Sequence, residues 1–510
     1  MSFESILYAG TGRGLGFSEH SPECFADLGL DLIVASITKG RESFELEKFW
    51  SSPPARIEDT RYRQGVFFDL EDKSVLGAVR EFCEALRTVL ARVRTSEQRD
   101  SSIQGDGIFA GSVLSYCKAV LKLENSLSSS KISSAGLTGF REYLSRYVSS
   151  EYFQHLCSEA EKITSEIASL SFYMDIKGGT VTVYDRAEDE DYSEFIEKLF
   201  DRFKPSEGSS DEVTEPAWRL VYVRGHVEEA ILKLAARLYR EQFRKLSQFH
   251  SENRNFVDAV ILRFYREIQF YLSYLDYIEP LKKKGLPFCI PELKQEEGPV
   301  FCKGCFDLAL ASKMAGDRVV TNDFQLDLQE RIIVVTGANS GGKTTFARMI
   351  GQAHYLAKLG VPVPGSMAAL RFVDNVYTHF PRGEDVENMR SKLEEDLVRI
   401  KNILDRATER SVVIINEMFG STSSFDAALL GRKIISKLQK IGCLSVYVTF
   451  IDELASLEHV VSYVAQVDPK DPETRTYKVI RQPANGLAYA RLIAKKYGLT
   501  YDDIVSRVAQ

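Results

Sequence analysis

The segment at residues 334–351, VVTGANSGGKTTFARMIG, limits the fold of this chain more than any other part of the sequence. It contains the pattern G-x-x-x-x-G-K-T, placed between a strand-like run of valines and a helix-like run. Glycines at this spacing let backbone N–H groups turn toward a phosphate, and the following helix directs its positive end at the same anion. The segment therefore predicts a nucleotide-binding domain of the α/β class.

The side chains of this loop have expected roles in binding ATP and Mg²⁺. Lys343 is expected to reach the β and γ phosphates, and the hydroxyl group of Thr344 is expected to ligate Mg²⁺. The predicted nucleotide-binding residues of the loop are Gly337, Ala338, Asn339, Ser340, Gly341, Gly342, Lys343, Thr344 and Thr345.

Short apolar runs alternate with helical stretches in the C-terminal part of the chain. The runs RIIVVTG, SVVIINE and LSVYVTF are rich in valine and isoleucine, and each precedes a loop and a segment of helical periodicity. This alternation is typical of a mostly parallel sheet covered by helices. We therefore predict that residues 291–510 form one α/β nucleotide-binding domain.

The part of the chain before this domain is predicted to be helical. Residues 226–279 contain neither glycine nor proline and carry apolar residues at helical spacing, so two long helices are expected to meet near HSENRN. Residues 73–125 and 138–168 also have helical periodicity. A β insertion is expected near 168–215, with two strands about a turn at Gly178–Gly179 and an acidic segment after them.

Composition restricts the partners of the chain and the place where it acts. Its net charge is −7, so any contact with DNA must come from a local basic patch. The absence of a signal peptide and of long apolar runs predicts a cytoplasmic protein without membrane contact. Cys302 and Cys305 form a C-x-x-C motif without a second pair, and we expect them to pack as thiols, although Cys289 could be a third zinc ligand.

The inner residues of the loop narrow the choice of family. Asn339 with Gly341–Gly342, in TGANSGGKTT, resembles the TGPNMGGKST loop of the MutS family of DNA mismatch-repair ATPases. Four further segments resemble the family in order: VVTND with Asn322, GVPVPGSMAALRFVDNVYTHF, SVVIINEMFGSTSS and YKVIRQPANGLAYARLIAKKYGLTYDDIVSRV. The resemblance covers residues 300–510, and a weaker one places the start of the MutS helical core at 53–72.

The resemblance implies a multidomain protein, with an all-α core and lever region followed by an α/β P-loop ATPase of the ABC and MutS type. The domains expected from it are an N-terminal segment at 1–40, a helical core and lever at 41–290, and the ATPase at 291–510. If this register is right, the mismatch-reading and connector domains of MutS have no room. We therefore expect a reduced MutS-like protein without mismatch specificity.

The resemblance also assigns roles to residues outside the loop. It implies that Glu417 polarises the attacking water, that Asn322 contributes to the nucleotide site, and that Ser391 contacts the γ phosphate bound by a partner subunit. The implied Mg²⁺ ligands, partly through water, are Thr344, Asn416 and Glu417.

The sequence departs from the family pattern at two positions of the site. Asn416 stands where the family has an aspartate, and Phe450 stands where the family has a histidine. Because neither residue brings a charge, and phenylalanine cannot orient water, we expect ATP binding to survive better than hydrolysis. The expected enzyme is a slow ATPase that converts ATP and water to ADP and phosphate.

Two functions of different classes follow. The first is a homodimer with nucleotide sites shared between subunits, which acts as an ATP-dependent clamp on duplex or branched DNA. The second is a nucleotide-gated scaffold that binds a protein partner, which the net negative charge favours. A small-molecule kinase is the weakest alternative, because the sequence carries no lid or acceptor motif.

Overall fold

Two compact units are distinguished in the chain. The computed structural model describes residues 3–10, 21–98, 102–177, 180–184, 226–295, 298–316, 318–381, 392–420, 422–468 and 474–484, with Tyr501 and Val505. The first unit consists of Met1–Phe3, Leu70–Ile132 and Leu137–Tyr265, and the second consists of Glu4–Asp69, Ser133–Gly136 and Arg266–Gln510.

The described chain before residue 284 is helical apart from one hairpin. Its helices are α1 (Cys24–Leu28), α2 (Leu30–Thr38), α3 (Glu47–Ser51), α4 (Ile57–Asp69), α5 (Lys73–Gln98), α6 (Ile103–Ser129), α7 (Ala135–Val148), α8 (Glu151–Ala168), α9 (His226–Leu238), α10 (Arg240–Glu252) and α11 (Ala259–Lys283), with a 3₁₀ turn at Glu42–Phe44. The hairpin pairs β1 (Tyr173–Lys177) with β2 (Thr180–Tyr184) in antiparallel register.

The helical prediction is confirmed, with more breaks than the periodicity indicates. The break expected near HSENRN falls between α10 and α11, and a further break occurs at Tyr239. The predicted helix at 138–168 is divided at Ser149 and Ser150, where the Ser150 hydroxyl group accepts the N–H of Phe153 and caps α8. Both predicted strands of the insertion are present, while Gly178–Gly179 lies outside the described residues.

The second unit contains the predicted α/β region. The strands that follow in chain order are β3 (Phe288–Cys289), β4 (Glu292–Lys294), β5 (Val300–Cys305), β6 (Asn322–Leu326), β7 (Ile332–Gly337), β8 (Val363–Pro364), β9 (Met367–Arg371), β10 (Val376–His379), β11 (Val412–Asn416), β12 (Leu444–Val448), β13 (Val460–Val467) and β14 (Arg475–Arg481). The helices among them are α12 (Leu308–Lys313), α13 (Lys343–Leu359), α14 (Lys392–Arg406) and α15 (Ser424–Ile441), with a 3₁₀ turn at Asp452–Ser456.

A six-stranded sheet forms the centre of this region, in the order β10-β11-β12-β7-β13-β14. All of its neighbouring strands are parallel except β13 and β14. Every residue of β11 and β12 is buried, as expected for parallel strands covered on both faces. Because β7, β11 and β12 run in the same direction, the residues that follow them meet at one edge of the sheet.

Helix α13, which begins in the phosphate-loop sequence, is held at its far end by α4. The Thr60 hydroxyl group donates to the carbonyl oxygen of Lys358, 2.9 Å away, and the Arg63 guanidinium donates to that of Leu359, 3.2 Å away. These carbonyl groups belong to the last turn of α13, where the helix leaves them without partners of its own. Helix α4 therefore caps the end of α13 that is opposite the loop.

Arg63 is fully buried, and its guanidinium contacts backbone carbonyl groups and aromatic rings. Its Nε atom donates to the carbonyl oxygen of Leu7 at 3.0 Å, and its guanidinium lies 4.8 Å from the ring centre of Tyr8 and 5.2 Å from that of Phe270. A cation is favourable at a helix C-terminus and over aromatic faces. Arg63 thus joins the N-terminal segment to α13.

The two units do not follow the sequence boundaries of the predicted domains. Residues 4–69 and 266–283 lie in the same unit as the six-stranded sheet, although both fall before residue 291. Their place there follows from contacts such as that of Arg63 with α13. The domain boundaries 1–40, 41–290 and 291–510 come from resemblance to a family, and this division of the chain stays a prediction. None of the helices within the described ranges has the length and apolarity needed to cross a membrane.

His354 provides a test of how tightly α13 is packed. It is fully buried, and burial lowers its pKa to about 4. A histidine in the unfolded chain has a pKa of about 6.5. Between about pH 4 and about pH 6.5, the unfolded chain therefore binds one proton at this residue that the folded protein does not bind. The stability that this group contributes is complete above pH 6.5 and is lost as the pH falls toward 4. Lowering the pH from 7.5 to 5 should remove about 2 kcal/mol through this residue.

We therefore expect His354→Leu to unfold in urea with less loss of stability between pH 7.5 and pH 5 than wild type. His155→Leu is the matched control, since it removes a histidine whose side chain is 73% exposed. An equal pH dependence in wild type and His354→Leu would contradict the burial of a neutral imidazole at this position.

Candidate phosphate-binding site

The predicted phosphate loop connects β7 to α13 and requires glycine at two positions. Gly337 and Gly342 have φ angles of 108° and 94°, which side chains disfavour. A Cβ atom at Gly337 would also lie 2.8 Å from the carbonyl oxygen of Ala465 on the adjacent strand β13. The loop therefore bends closely over β13 before α13 begins at Lys343.

The ammonium group of Lys343 lies inside the curve of the loop. Its Nζ atom donates to the carbonyl oxygens of Gly337 and Ala338, at 2.9 and 3.2 Å, and to the Oδ1 atom of Asn339 at 3.2 Å. Lys343 is only 3% exposed. Burial lowers its pKa, which the negative charge of Glu417 opposes. An anion held by the loop would therefore meet a desolvated cation that donates to three neutral oxygen atoms.

The residue after Lys343 is bonded to the end of β11. The Thr344 hydroxyl group donates to the Oδ1 atom of Asn416 at 2.9 Å. Glu417 follows, and its N–H donates to the carbonyl oxygen of Val448 on β12, 3.0 Å away. The sheet therefore brings Thr344, Asn416 and Glu417 together at the edge where the loop lies.

Strained backbone is concentrated around this edge. Of the eight described residues other than glycine that have positive φ angles, five lie near this edge, namely Arg318, Ser340, Glu417, Phe419 and Tyr477, with values of 55°, 57°, 45°, 67° and 56°. Such conformations cost of order 1–3 kcal/mol each, and they persist where the surrounding structure enforces them. Four of these five residues, all except Phe419, line one cleft.

The cleft beside the loop has a volume of about 570 Å³. Its lining residues are Leu310, Met314, Arg318, Val320, Asn322, Ser340, Gly342, Lys343, Thr344, Thr345, Glu417 and Tyr477. The volume lies within the range usual for small-molecule sites. Lys343, Thr344 and Glu417 provide polar groups, whereas Leu310, Met314, Val320 and Tyr477 provide apolar or aromatic surface.

A buried network fixes the apolar part of the cleft. Asp307 caps α12 by accepting the N–H of Leu310 at 3.1 Å. The same carboxylate accepts hydrogen bonds from Arg348, at 2.5 Å, and from the Nε2 atom of Gln352, at 2.8 Å, both on α13. The helix that carries the loop at its start thereby also holds α12, which contributes Leu310 to the cleft.

Of the predicted site residues, those of the loop and the strand ends lie together. Ser340, Gly342, Lys343, Thr344, Thr345, Asn322 and Glu417 line the cleft, while Gly337, Ala338, Asn339 and Gly341 complete the loop. Asn416 is 5% exposed and contacts Thr344. Ser391 lies outside the described residues. The prediction that these residues bind nucleotide stays a prediction.

Asn322 and Phe450 have surroundings that their sequence positions do not indicate. The Nδ2 atom of Asn322 donates to the carbonyl oxygen of Tyr477 at 3.1 Å, and its Oδ1 atom accepts the N–H of Val479 at 2.8 Å. The Asn322 amide therefore fixes β14 beside the loop. Phe450 follows Thr449, whose N–H donates to the carbonyl oxygen of Val335, and its side chain is 48% exposed.

Sequence reasoning did not select the apolar residues of the cleft. Leu310, Met314 and Val320 belong to an ordinary apolar pattern, and the position of Leu310 depends on the Asp307 network. Tyr477 lies in the segment YKVIRQ, which carries part of the family resemblance, but aromatic residues are common in strands. A signal for Tyr477 could have been found only in the resemblance.

Cys302 and Cys305 are buried on β5. A hydrogen bond with Cys302, together with burial, raises the pKa of the Cys305 thiol. Over the ranges that the structure describes, no group of three or more His, Cys, Asp or Glu side chains is placed to hold a metal ion.

The fold defines an α/β domain whose glycine-containing loop lies between β7 and α13, at the carboxyl edge of the parallel strands. Residues 333–500 match the protein family described as MutS domain V. The chain is 34% identical to the DNA mismatch repair protein MutS of Symbiobacterium thermophilum over 161 residues, which are 31% of this chain and 18% of that protein.

Two other proteins with the same name are similar to the chain. The MutS protein of Brevibacillus brevis is 28% identical over 188 residues, covering 36% of this chain and 22% of its own length. The MutS protein of Desulforamulus reducens is 31% identical over 183 residues, covering 34% and 21%. The chain therefore spans about a fifth of the length of these relatives. The matches support a MutS-family protein, and they lie in the part that contains the loop.

Proposed function

We propose that the protein is a MutS-like ATP-binding protein that hydrolyses ATP slowly and changes conformation with its nucleotide state. The observation that carries this proposal is the position of Lys343, buried within the loop beside Thr344 and the end of β11. Phosphate needs a cation and backbone N–H groups at a helix start, and the loop and α13 supply both. The match to MutS domain V supports ATP as the nucleotide.

The cleft suits a nucleoside triphosphate along its whole length. The phosphates would lie against the loop and Lys343, and the base would contact the apolar wall with Leu310, Met314, Val320 and Tyr477. An aromatic side chain such as Tyr477 can stack on a purine ring. The polar and apolar parts of one cleft therefore correspond to the two chemical parts of ATP.

The residues near Thr344 suit Mg²⁺, whose preferred ligands are oxygen atoms. Thr344, Asn416 and Glu417 would hold the ion, partly through water. When bound, Mg²⁺ neutralises charge on the phosphate oxygens. Asn416 already accepts a hydrogen bond from Thr344, so its amide oxygen lies beside the hydroxyl group that would bind the ion.

Hydrolysis would depend chiefly on Glu417, which lines the cleft and can orient an attacking water. Asn416 carries no charge where MutS proteins have an aspartate. Phe450 offers no polar group where the family has a histidine. Both departures favour slow turnover, since each removes a preorganised interaction with charge that develops in the reaction.

The larger assembly is proposed from resemblance to MutS. The protein would form a homodimer in which Ser391 of each subunit completes the partner's nucleotide site. Nucleotide state would then move the helical region and open or close a channel for duplex or branched DNA. The alternative, a nucleotide-gated scaffold for a protein partner, is favoured by the net charge of −7, which opposes binding to phosphate backbones.

The nucleotide site is tested first by Lys343→Ala. This change removes the cation that lies within the loop, so affinity for a non-hydrolysable ATP analogue in calorimetry should fall below detection. Lys437→Ala on the exposed side of α15 is the control, and it should bind as wild type does. If Lys343→Ala binds with unchanged affinity, the nucleotide site has been placed wrongly.

The rate of hydrolysis is tested by restoring the family residues. Steady-state phosphate release should be slow in wild type and faster in Asn416→Asp, and faster again in the Asn416→Asp, Phe450→His double variant. Each restored interaction should be worth roughly 1–3 kcal/mol, or about tenfold to several hundredfold in rate. Glu417→Gln should abolish the remaining activity. The proposal that Asn416 and Phe450 slow hydrolysis would be refuted if wild type released phosphate as fast as an ordinary ATPase and neither variant released it faster.

Binding to DNA separates the two proposed functions. Filter binding to duplex and branched DNA, measured with ATP over a salt series, should give an affinity that falls as salt rises if phosphates are contacted. A mismatched duplex should be preferred over a matched one by less than about tenfold, or about 1.4 kcal/mol. A stronger preference for the mismatched duplex would contradict the proposal that the protein does not recognise mismatches. Absence of DNA binding at low salt would favour the alternative function, a scaffold for a protein partner.

A further inference from the structure

A second cation reaches the phosphate loop from β14. The Nε atom of Arg475 donates to the carbonyl oxygen of Asn339 at 3.2 Å. The side-chain oxygen of the same asparagine accepts a hydrogen bond from Lys343, also at 3.2 Å. One residue of the loop therefore connects the buried lysine to an arginine from a different strand.

The strand that carries Arg475 is held firmly against the loop. Asn322 bonds to the backbone of both Tyr477 and Val479 on this strand. A Cβ atom at Gly342 would lie 3.7 Å from the Cα atom of Tyr477, which is an ordinary contact distance. The backbone of β14 therefore lies beside the start of α13, and Arg475 is placed by a fixed element.

The charges of Arg475 and Lys343 act on each other. Both side chains bond to Asn339, Arg475 to its carbonyl oxygen and Lys343 to its side-chain oxygen, so the two positive charges lie at the same residue of the loop. Two like charges at one loop disfavour each other, and a bound anion relieves this repulsion in proportion to its own charge. A triphosphate carries more negative charge than a diphosphate, so it gains more from the second cation.

We propose that Arg475 is a specificity-determining residue of the nucleotide site, which favours nucleoside triphosphates over diphosphates through its charge beside Asn339 and Lys343. This inference rests on the proposed nucleotide site. Arginine suits the role because its guanidinium stays charged while its Nε atom bonds to the loop. The residue stabilises the triphosphate-bound protein and does not take part in bond breaking.

Another arginine on the same strand provides a comparison. Arg481 pairs with Glu330 at 2.5 Å and lies 3.8 Å from Asp327, so carboxylates compensate its charge. Its side chain is 42% exposed, as expected for a surface ion pair of small energetic effect. Arg481→Gln therefore removes a positive charge from β14 away from the loop contacts, and it is the matched control for Arg475→Gln.

The experiment is calorimetric titration of the full chain with a non-hydrolysable ATP analogue and, separately, with ADP, both with Mg²⁺. Arg475→Gln should lower affinity for the ATP analogue by about tenfold and affinity for ADP by less than about threefold. Arg475→Lys, which keeps the charge, should retain most of the preference for the triphosphate. Arg481→Gln should bind both ligands as wild type does.

Four results would overturn the inference, and one of them also overturns the proposed nucleotide site on which it rests. Equal loss of affinity for both ligands in Arg475→Gln would mean that the residue only shapes the loop. Unchanged affinities in Arg475→Gln, or a lysine variant as weak as the glutamine variant, would mean that its charge has no role. If wild type and Arg481→Gln bind neither ligand, the proposed nucleotide site itself fails and the inference fails with it.

Discussion

The arrangement of the second unit depends on helix α13 and on the contacts at its two ends. Its first residue, Lys343, is bonded within the phosphate loop, and the carbonyl groups of its last turn accept hydrogen bonds from Arg63 and Thr60. Between these ends, Gln352 donates to the carbonyl oxygen of Leu28 and to Asp307. The loop, the apolar wall of the cleft and the N-terminal helices thus all take their positions from one helix.

This arrangement explains how the candidate phosphate site is supported in a part of the chain that contains strained residues. Positive φ angles at Ser340, Glu417 and Tyr477 persist where the surrounding structure enforces them. The buried strands β7, β11 and β12 hold one side, and Asn322 holds the strand that carries Tyr477. The polar contacts of the cleft are therefore supported by the same packing that stabilises the sheet.

The sequence predicted those features that follow from local pattern. Runs of valine and isoleucine indicated the central strands, and glycine spacing located the loop at Lys343. Contacts between distant residues could not be predicted in this way. Nothing in the sequence around Arg63 indicates that its charge caps α13, and nothing around Asn322 indicates that its amide bonds to the backbone of β14. Tyr477 and Arg475 reach the loop because β14 folds back antiparallel to β13, which no local pattern specifies.

We propose that the loop binds ATP and that the protein then retains it. This is tested by incubating the protein with radiolabelled ATP and Mg²⁺, removing unbound nucleotide rapidly by gel filtration, and identifying the retained nucleotide by chromatography. The label should stay with the protein and should be mainly ATP, because Asn416 and Phe450 are expected to slow its hydrolysis. Retention of ADP alone would contradict slow hydrolysis, and the absence of any retained label would contradict nucleotide binding.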